Sequence, residues 1–213
     1  MRKGISLIEL IFTIVIIAVV FTVIPKIVLA LNKSDEFSIK QDALFNGITM
    51  MQMITHLSWD ENGVANNDIL NTTGGPQFAC DAITHYRVGG FRGSRNCENN
   101  VSVSAILGPD AEGSQSFYND IDDFFDGVDT NTSIYRLHVN ARYIADTFTY
   151  NGQNATIILN STAMPLGQST NIKYIDINIT YQGKKTALQG TAISQFAFAS
   201  ANIGKFYIYK RAW

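Results

Sequence analysis

MRKGISLIELIFTIVIIAVVFTVIPKIVLAL, residues 1–31, decides how the rest of the chain can be read. It opens on two cations, Arg2 and Lys3, followed by Gly4. An apolar run then begins, interrupted near its start by Glu9. Residues 10–24 hold no charge and nothing more polar than threonine. As a helix, residues 5–31 span about 40 Å, enough to cross a hydrocarbon core of roughly 30 Å. The β-branched residues weaken helix formation in water, but in lipid the backbone must satisfy its own hydrogen bonds, so helix prevails. Pro25 removes one backbone donor and is expected to bend the helix there.

Three readings compete for this stretch. A cleaved secretory signal has the basic start, and Val28-Leu29-Ala30 would serve as a cleavage site. Its apolar region, however, normally runs about 7–15 residues and carries no carboxylate. A plain membrane anchor accounts for the length but not for Glu9, because a carboxylate in an apolar helix is costly and asks for a partner. The third reading accounts for cations, glycine and glutamate together. Lys3-Gly4-Ile5-Ser6-Leu7-Ile8-Glu9 resembles the class III leader of type IV pilins and type II secretion pseudopilins. In that family a prepilin peptidase cuts after the glycine, here Gly4. The new N-terminus, here Ile5, is N-methylated. The glutamate five places into the mature chain, here Glu9, contacts the terminal amine of a neighbouring subunit. The family usually has Phe after the cut, where this chain has Ile5.

Composition fits such a reading. Lys and Arg number 16 against 18 Asp and Glu, and no basic surplus is available to neutralise a phosphate backbone, so nucleic acid is not an expected partner. Beyond Leu31 the chain is rich in Asn, Thr, Ser and Gly with scattered aromatics, as in an exported β-rich domain. The leader cations stay on the cytoplasmic side, which puts the C-terminus outside. In that oxidising compartment the chain's 2 cysteines, Cys80 and Cys97, are expected to form a disulfide.

Taken in order, residues 1–4 are the leader, 5–31 the membrane half of a long helix and 32–58 its amphipathic half. Phe37, Leu44, Ile48, Met51 and Ile54, flanked by Met50 and Leu57, fall at helical steps on one stripe that needs a sheet to cover it. Gly47 is expected to be a local weak point, because glycine costs about 1 kcal/mol in a helix interior. The helix should stop near Trp59, at Trp59-Asp60-Glu61-Asn62-Gly63, before a polar connection over residues 64–77. Residues 59–213 form the exported head. Residues 135–143 and 175–181 alternate cleanly between apolar and polar, as strands with one wet face do. Residues 101–107 also read as a strand, 182–185 as a hairpin tip, and 194–199 and 205–211 as further strands.

The acidic stretch carries Asp120, Asp122, Asp123, Asp126 and Asp129 with no cation among them. Such carboxylates repel unless solvated or neutralised. Either they form a solvated loop or they bind Ca²⁺, which takes about six to eight oxygens; the spacing is not that of an EF-hand. The arginines between the cysteines, Arg87, Arg92 and Arg95, read as a solvated loop, and the alternative is an anion site. His56, His85 and His138 lie apart in sequence and read as solvated. Asn100, Asn131 and Asn178 each head an Asn-x-Ser/Thr sequon with an acidic residue two places earlier. No nucleophile, nucleotide-binding or metal motif of an enzyme is found, and an assembly role needs none.

The expected fold is α+β: a long N-terminal helix packed on an antiparallel sheet, the type IV pilin fold. Residues 57–62, residues 119–124 and the two alternating strands resemble minor pilins of the V-type and mannose-sensitive haemagglutinin accessory kind. The resemblance implies an inner-membrane protein with its head in the periplasm, later part of an extracellular filament. It implies as partners the prepilin peptidase, an inner-membrane assembly platform and other pilin subunits. A minor pseudopilin of a type II secretion system and a non-polymerising membrane-anchored binding domain are the alternatives.

Overall fold

The computed structural model describes residues 6–66, 69–73, 83, 101–105, 107–109, 114–132, 134–150, 155–165, 167–186 and 188–203. They form a long helix and a five-stranded antiparallel sheet, an α+β architecture. The chain divides into two compact units, Met1–Phe45 and Asn46–Trp213.

In the first unit, helix α1 (Leu7–His56) begins at the apolar run and continues through Pro25 without ending there. Every residue from 6 to 35 is exposed. A segment with mean hydropathy 3.0 and no buried part is long and apolar enough to cross a membrane. Polar side chains within the run are satisfied locally: Thr13 and Thr22 donate to the carbonyls of Leu10 and Val19 at 2.8 and 2.9 Å. That is how a hydroxyl is accommodated in an apolar helix with no water at hand.

In the second unit, the last turns of α1 lie on the sheet. The buried residues there are Gly47, Met50 and Ile54, at steps of three and four. This stripe is rotated by about one residue from the expected one: Phe37 is 69% and Leu44 42% exposed, and Ile48 and Met51 are half-buried. The reason is Gly47. A Cβ there would sit 2.2 Å from the Phe196 ring and 2.6 Å from Ile179 Cδ1. The missing side chain therefore lets the helix approach the sheet, and Gly47 is a point of close contact.

The sheet runs β1 (Val128–Asn131), β2 (Tyr135–Tyr150), β4 (Ile172–Tyr181), β5 (Ala192–Ala201), with β3 (Ala155–Ala163) paired to the far half of β2. Strand β2 pairs β4 from Tyr135↔Tyr181 to Tyr143↔Lys173. Both alternations read from the sequence are realised. Tyr135, Leu137, Val139, Ala141 and Tyr143 are buried, and so are Ile175, Ile177, Ile179 and Tyr181. On the opposite face Arg142 pairs with Asp176 and lies 4.8 Å from the centre of the Tyr174 ring. Residues 194–199 fall within β5, whereas 205–211 lie outside the described residues. The connection from β4 to β5 is longer than a tight tip, closing where Gly190 N–H donates to the Tyr181 carbonyl at 2.9 Å.

Two expectations are corrected. The described residues of 101–107 form no strand; Ser102 makes one parallel bridge with Asn71. The Ser104 N–H donates to the Asp60 carboxylate at 3.0 Å instead of to a neighbouring strand. The end of the expected stop signal and the first residues of the expected connection over 64–77 form a short helix, α2 (Glu61–Asn66), capped by Asp60. The Asp60 carboxylate accepts the Asn62 N–H at 3.1 Å, satisfying one of the orphan donors of a helix start.

Candidate functional site

Trp59, Asp60, Asp120, Asp122, Asp123, Tyr143 and Lys173 come together beneath the sheet. Strand β4 positions the cation. Counted back from Tyr181 in steps of two, the buried residues are Ile179, Ile177, Ile175 and then Lys173. The lysine thus enters the core in phase with three isoleucines and is 1% exposed. A buried ammonium must be paired. Its Nζ donates to the Trp59 carbonyl at 2.5 Å and to Asp122 Oδ1 at 3.2 Å, and lies 3.8 Å from Asp60 Oδ2. The Trp59 ring centre is 4.3 Å away and that of Tyr143 5.2 Å. These two rings meet edge to face at 5.9 Å, a preferred aromatic geometry. The Trp59 indole N–H donates to the Ser200 carbonyl of β5 at 3.2 Å.

The carboxylates come from two segments that run side by side. Ser58 N–H donates to the Asn119 carbonyl at 3.2 Å, and Ile121 N–H to the Ser58 carbonyl at 3.0 Å. This pairing brings residues 57–62 and 119–124 into register with each other. A 3-10 turn (Asp122–Phe124) then carries Asp122 toward Lys173. Asp120 and Asp123 brace the turn: Asp120 Oδ1 accepts the Asp123 N–H, and Asp123 Oδ2 accepts the N–H groups of Asn119 and Asp120, at 3.0 to 3.2 Å.

More negative groups than cations are buried here, and the protonation equilibria reflect it. Burial pushes the Asp120 carboxyl up to about 9, aided by its hydrogen bond to Asp122. Burial also raises Asp60, against the opposing pull of Lys173. The Tyr143 hydroxyl is raised by burial and then by Asp60, Asp122 and Asp120. Its oxygen has no hydrogen-bond partner among the described residues.

Asp126 and Asp129 lie elsewhere. Asp126 is an exposed turn residue with φ +62°. Asp129, on β1, is paired with Arg136 and lies 2.8 Å from His138 Nδ1 through its Oδ1. Arg136 first, and His138 after it, hold its carboxyl below the ordinary carboxylate range. His138 therefore has a carboxylate partner and is not simply solvated; His56 is exposed at the end of α1, and His85 lies outside the described residues. The five aspartates do not converge on one point. Among the described residues no group of three His, Cys, Asp or Glu is placed to hold a metal ion. The neutralising charge in the acidic stretch is the Lys173 ammonium, supplied from a strand 51 positions later.

Of the other expected site residues, Glu9 lies in the first turn of α1 and is exposed, one carboxylate amid exposed apolar side chains. Gly4, Ile5, Cys80, Cys97 and Asn100 lie outside the described residues. The lysine was within reach of the sequence: extending the 175–181 alternation by one step puts Lys173 on the core face. Its acidic partners could not be paired with it that way, because two of the three segments are not strands. No family model, no curated protein and no solved structure matches this chain.

Proposed function

We propose that this chain is a structural subunit, a minor pilin, of a type IV pilus-like filament assembled from the inner membrane. The observation that carries the reading is α1. An exposed apolar span with a carboxylate in its first turn continues as one helix into turns packed on an antiparallel sheet. A helix for lipid or for neighbouring subunits, joined to a folded head, is what a filament subunit requires. The leader residues Lys3, Gly4 and Ile5 and the position of Glu9 support processing by a prepilin peptidase. The head would then lie in the periplasm before export into the filament, and Cys80 and Cys97 would be oxidised there.

The mature N-terminus tests this. Mass spectrometry of protein from the native host should find cleavage after Gly4 and a methylated Ile5. Retained Met1, or a start near Leu31, would overturn it. Recovery of the protein in sheared surface filaments separates a pilus subunit from a periplasmic secretion pseudopilin.

A further inference from the structure

We propose that Lys173 and Asp122 condense into an intramolecular isopeptide bond, with Asp120 as the hydrogen-bond donor that activates the Asp122 carboxyl. The proposal is independent of the filament reading and rests on the arrangement of the buried cluster.

A lysine and an aspartate condense when they are held in contact, kept from water and able to exchange a proton. All three conditions meet here. Nζ is 3.2 Å from Asp122 Oδ1, and both side chains are 3% exposed or less. Strand β4 and the 3-10 turn hold them in place, so the reaction has the advantage of fixed geometry. The Trp59 and Tyr143 rings flank the amine and exclude solvent. Asp120 is hydrogen-bonded to Asp122 and remains protonated to about 9, so it has a proton to direct at the carboxyl oxygen.

The steps balance without a co-reactant. The Lys173 ammonium passes one proton along its hydrogen bond to the Asp122 carboxylate, leaving a neutral amine and a carboxylic acid. The amine nitrogen attacks Cγ, polarised by the Asp120 hydrogen bond. The C–O bond breaks, and the hydroxyl leaves as water with a second proton from nitrogen. Asp120 keeps its proton. The amide retains one N–H, and the Trp59 carbonyl, now 2.5 Å from Nζ, is its acceptor. Two buried charges are removed, which relieves the desolvation that a buried ion pair carries. Asp60 is the less suitable partner. It lies farther, at 3.8 Å, and its oxygens are engaged by the Ser104 and Asn62 N–H groups.

The test is the intact mass of the full-length protein, purified in detergent, reduced and denatured. Wild type should weigh one water less than its processed sequence, and proteolysis should yield a branched peptide joining Lys173 to Asp122. Lys173→Arg and Asp122→Ala should restore the full mass. Asp120→Asn should leave most molecules unbridged, and complete bridging in that variant would overturn the role given to Asp120. Full mass in wild type overturns the proposal, whatever the variants do. So does loss of water without a branched peptide, as a succinimide would give, or a branch to Asp60.

Discussion

Lys173 shows why a charged residue can sit in a sheet core. Its stem continues the column of Ile175, Ile177 and Ile179, while its ammonium reaches a carbonyl and a carboxylate at the end of the column. Removing it strands Asp60 and Asp122, each 2% exposed or less. Lys173→Ala should lower head stability by about 3–5 kcal/mol near neutral pH, measured by denaturant unfolding. The loss should shrink in acid, where the stranded Asp60 carboxyl, already raised by burial, takes up a proton. Asp120 makes a second prediction. Its folded pKa, about 9, lies above the unfolded value, so the folded state holds the extra proton between about pH 4 and about 9. The stability this carboxyl contributes is full below the ordinary carboxylate range and is lost as pH rises through about 9. Asp120→Asn should therefore flatten the fall in unfolding midpoint across that window. A slope unchanged from wild type would assign the pH dependence to Asp60 or another group.

At the scale of elements, patterns of period two were legible and patterns of contact were not. Residues 135–143 and 175–181 were recognisable because each strand has one buried and one wet face. Strand β3, Ala-Thr-Ile-Ile-Leu-Asn-Ser-Thr-Ala, lacks that alternation, and its pairing depends on the extension of β2 beyond Tyr143. Residues 101–107 had the alternation, but their pairing stops at one bridge to Asn71, since the next available N–H, that of Ser104, serves Asp60. Helix α1 was expected at the right place, but which face lies on the sheet was decided by Gly47, a residue whose contribution is the absence of a side chain. Gly47→Ala should gain about 1 kcal/mol of helix propensity and lose more to overpacking against Phe196 and Ile179, with typical overpacking costs of about 1–3 kcal/mol. A lowered melting temperature is expected, with partial recovery in Gly47→Ala/Phe196→Leu. A stabilised single variant would show that the helix can move away from the sheet at little cost.

For the whole molecule, the exposed span of α1 and the core of the head answer to different requirements. Residues 6–35 are all exposed, and under the filament reading proposed above Glu9 would serve assembly rather than folding. Glu9→Ala should leave the unfolding midpoint of the head and insertion of the span unchanged, while recovery in sheared filaments, compared at equal expression, falls sharply. Normal recovery would remove Glu9 from the assembly contact. The buried cluster also governs how fast the head comes apart. Lys173 meets Trp59 across 114 positions of chain and Asp122 across 51. Such distant segments close late, and burying an ammonium before its acceptors arrive is uphill. The cluster should therefore form after the folding barrier has been crossed, and its loss should accelerate unfolding many-fold while leaving the refolding rate nearly unchanged. Its contribution is to lifetime: once the cluster has closed, it sets how long the head stays folded.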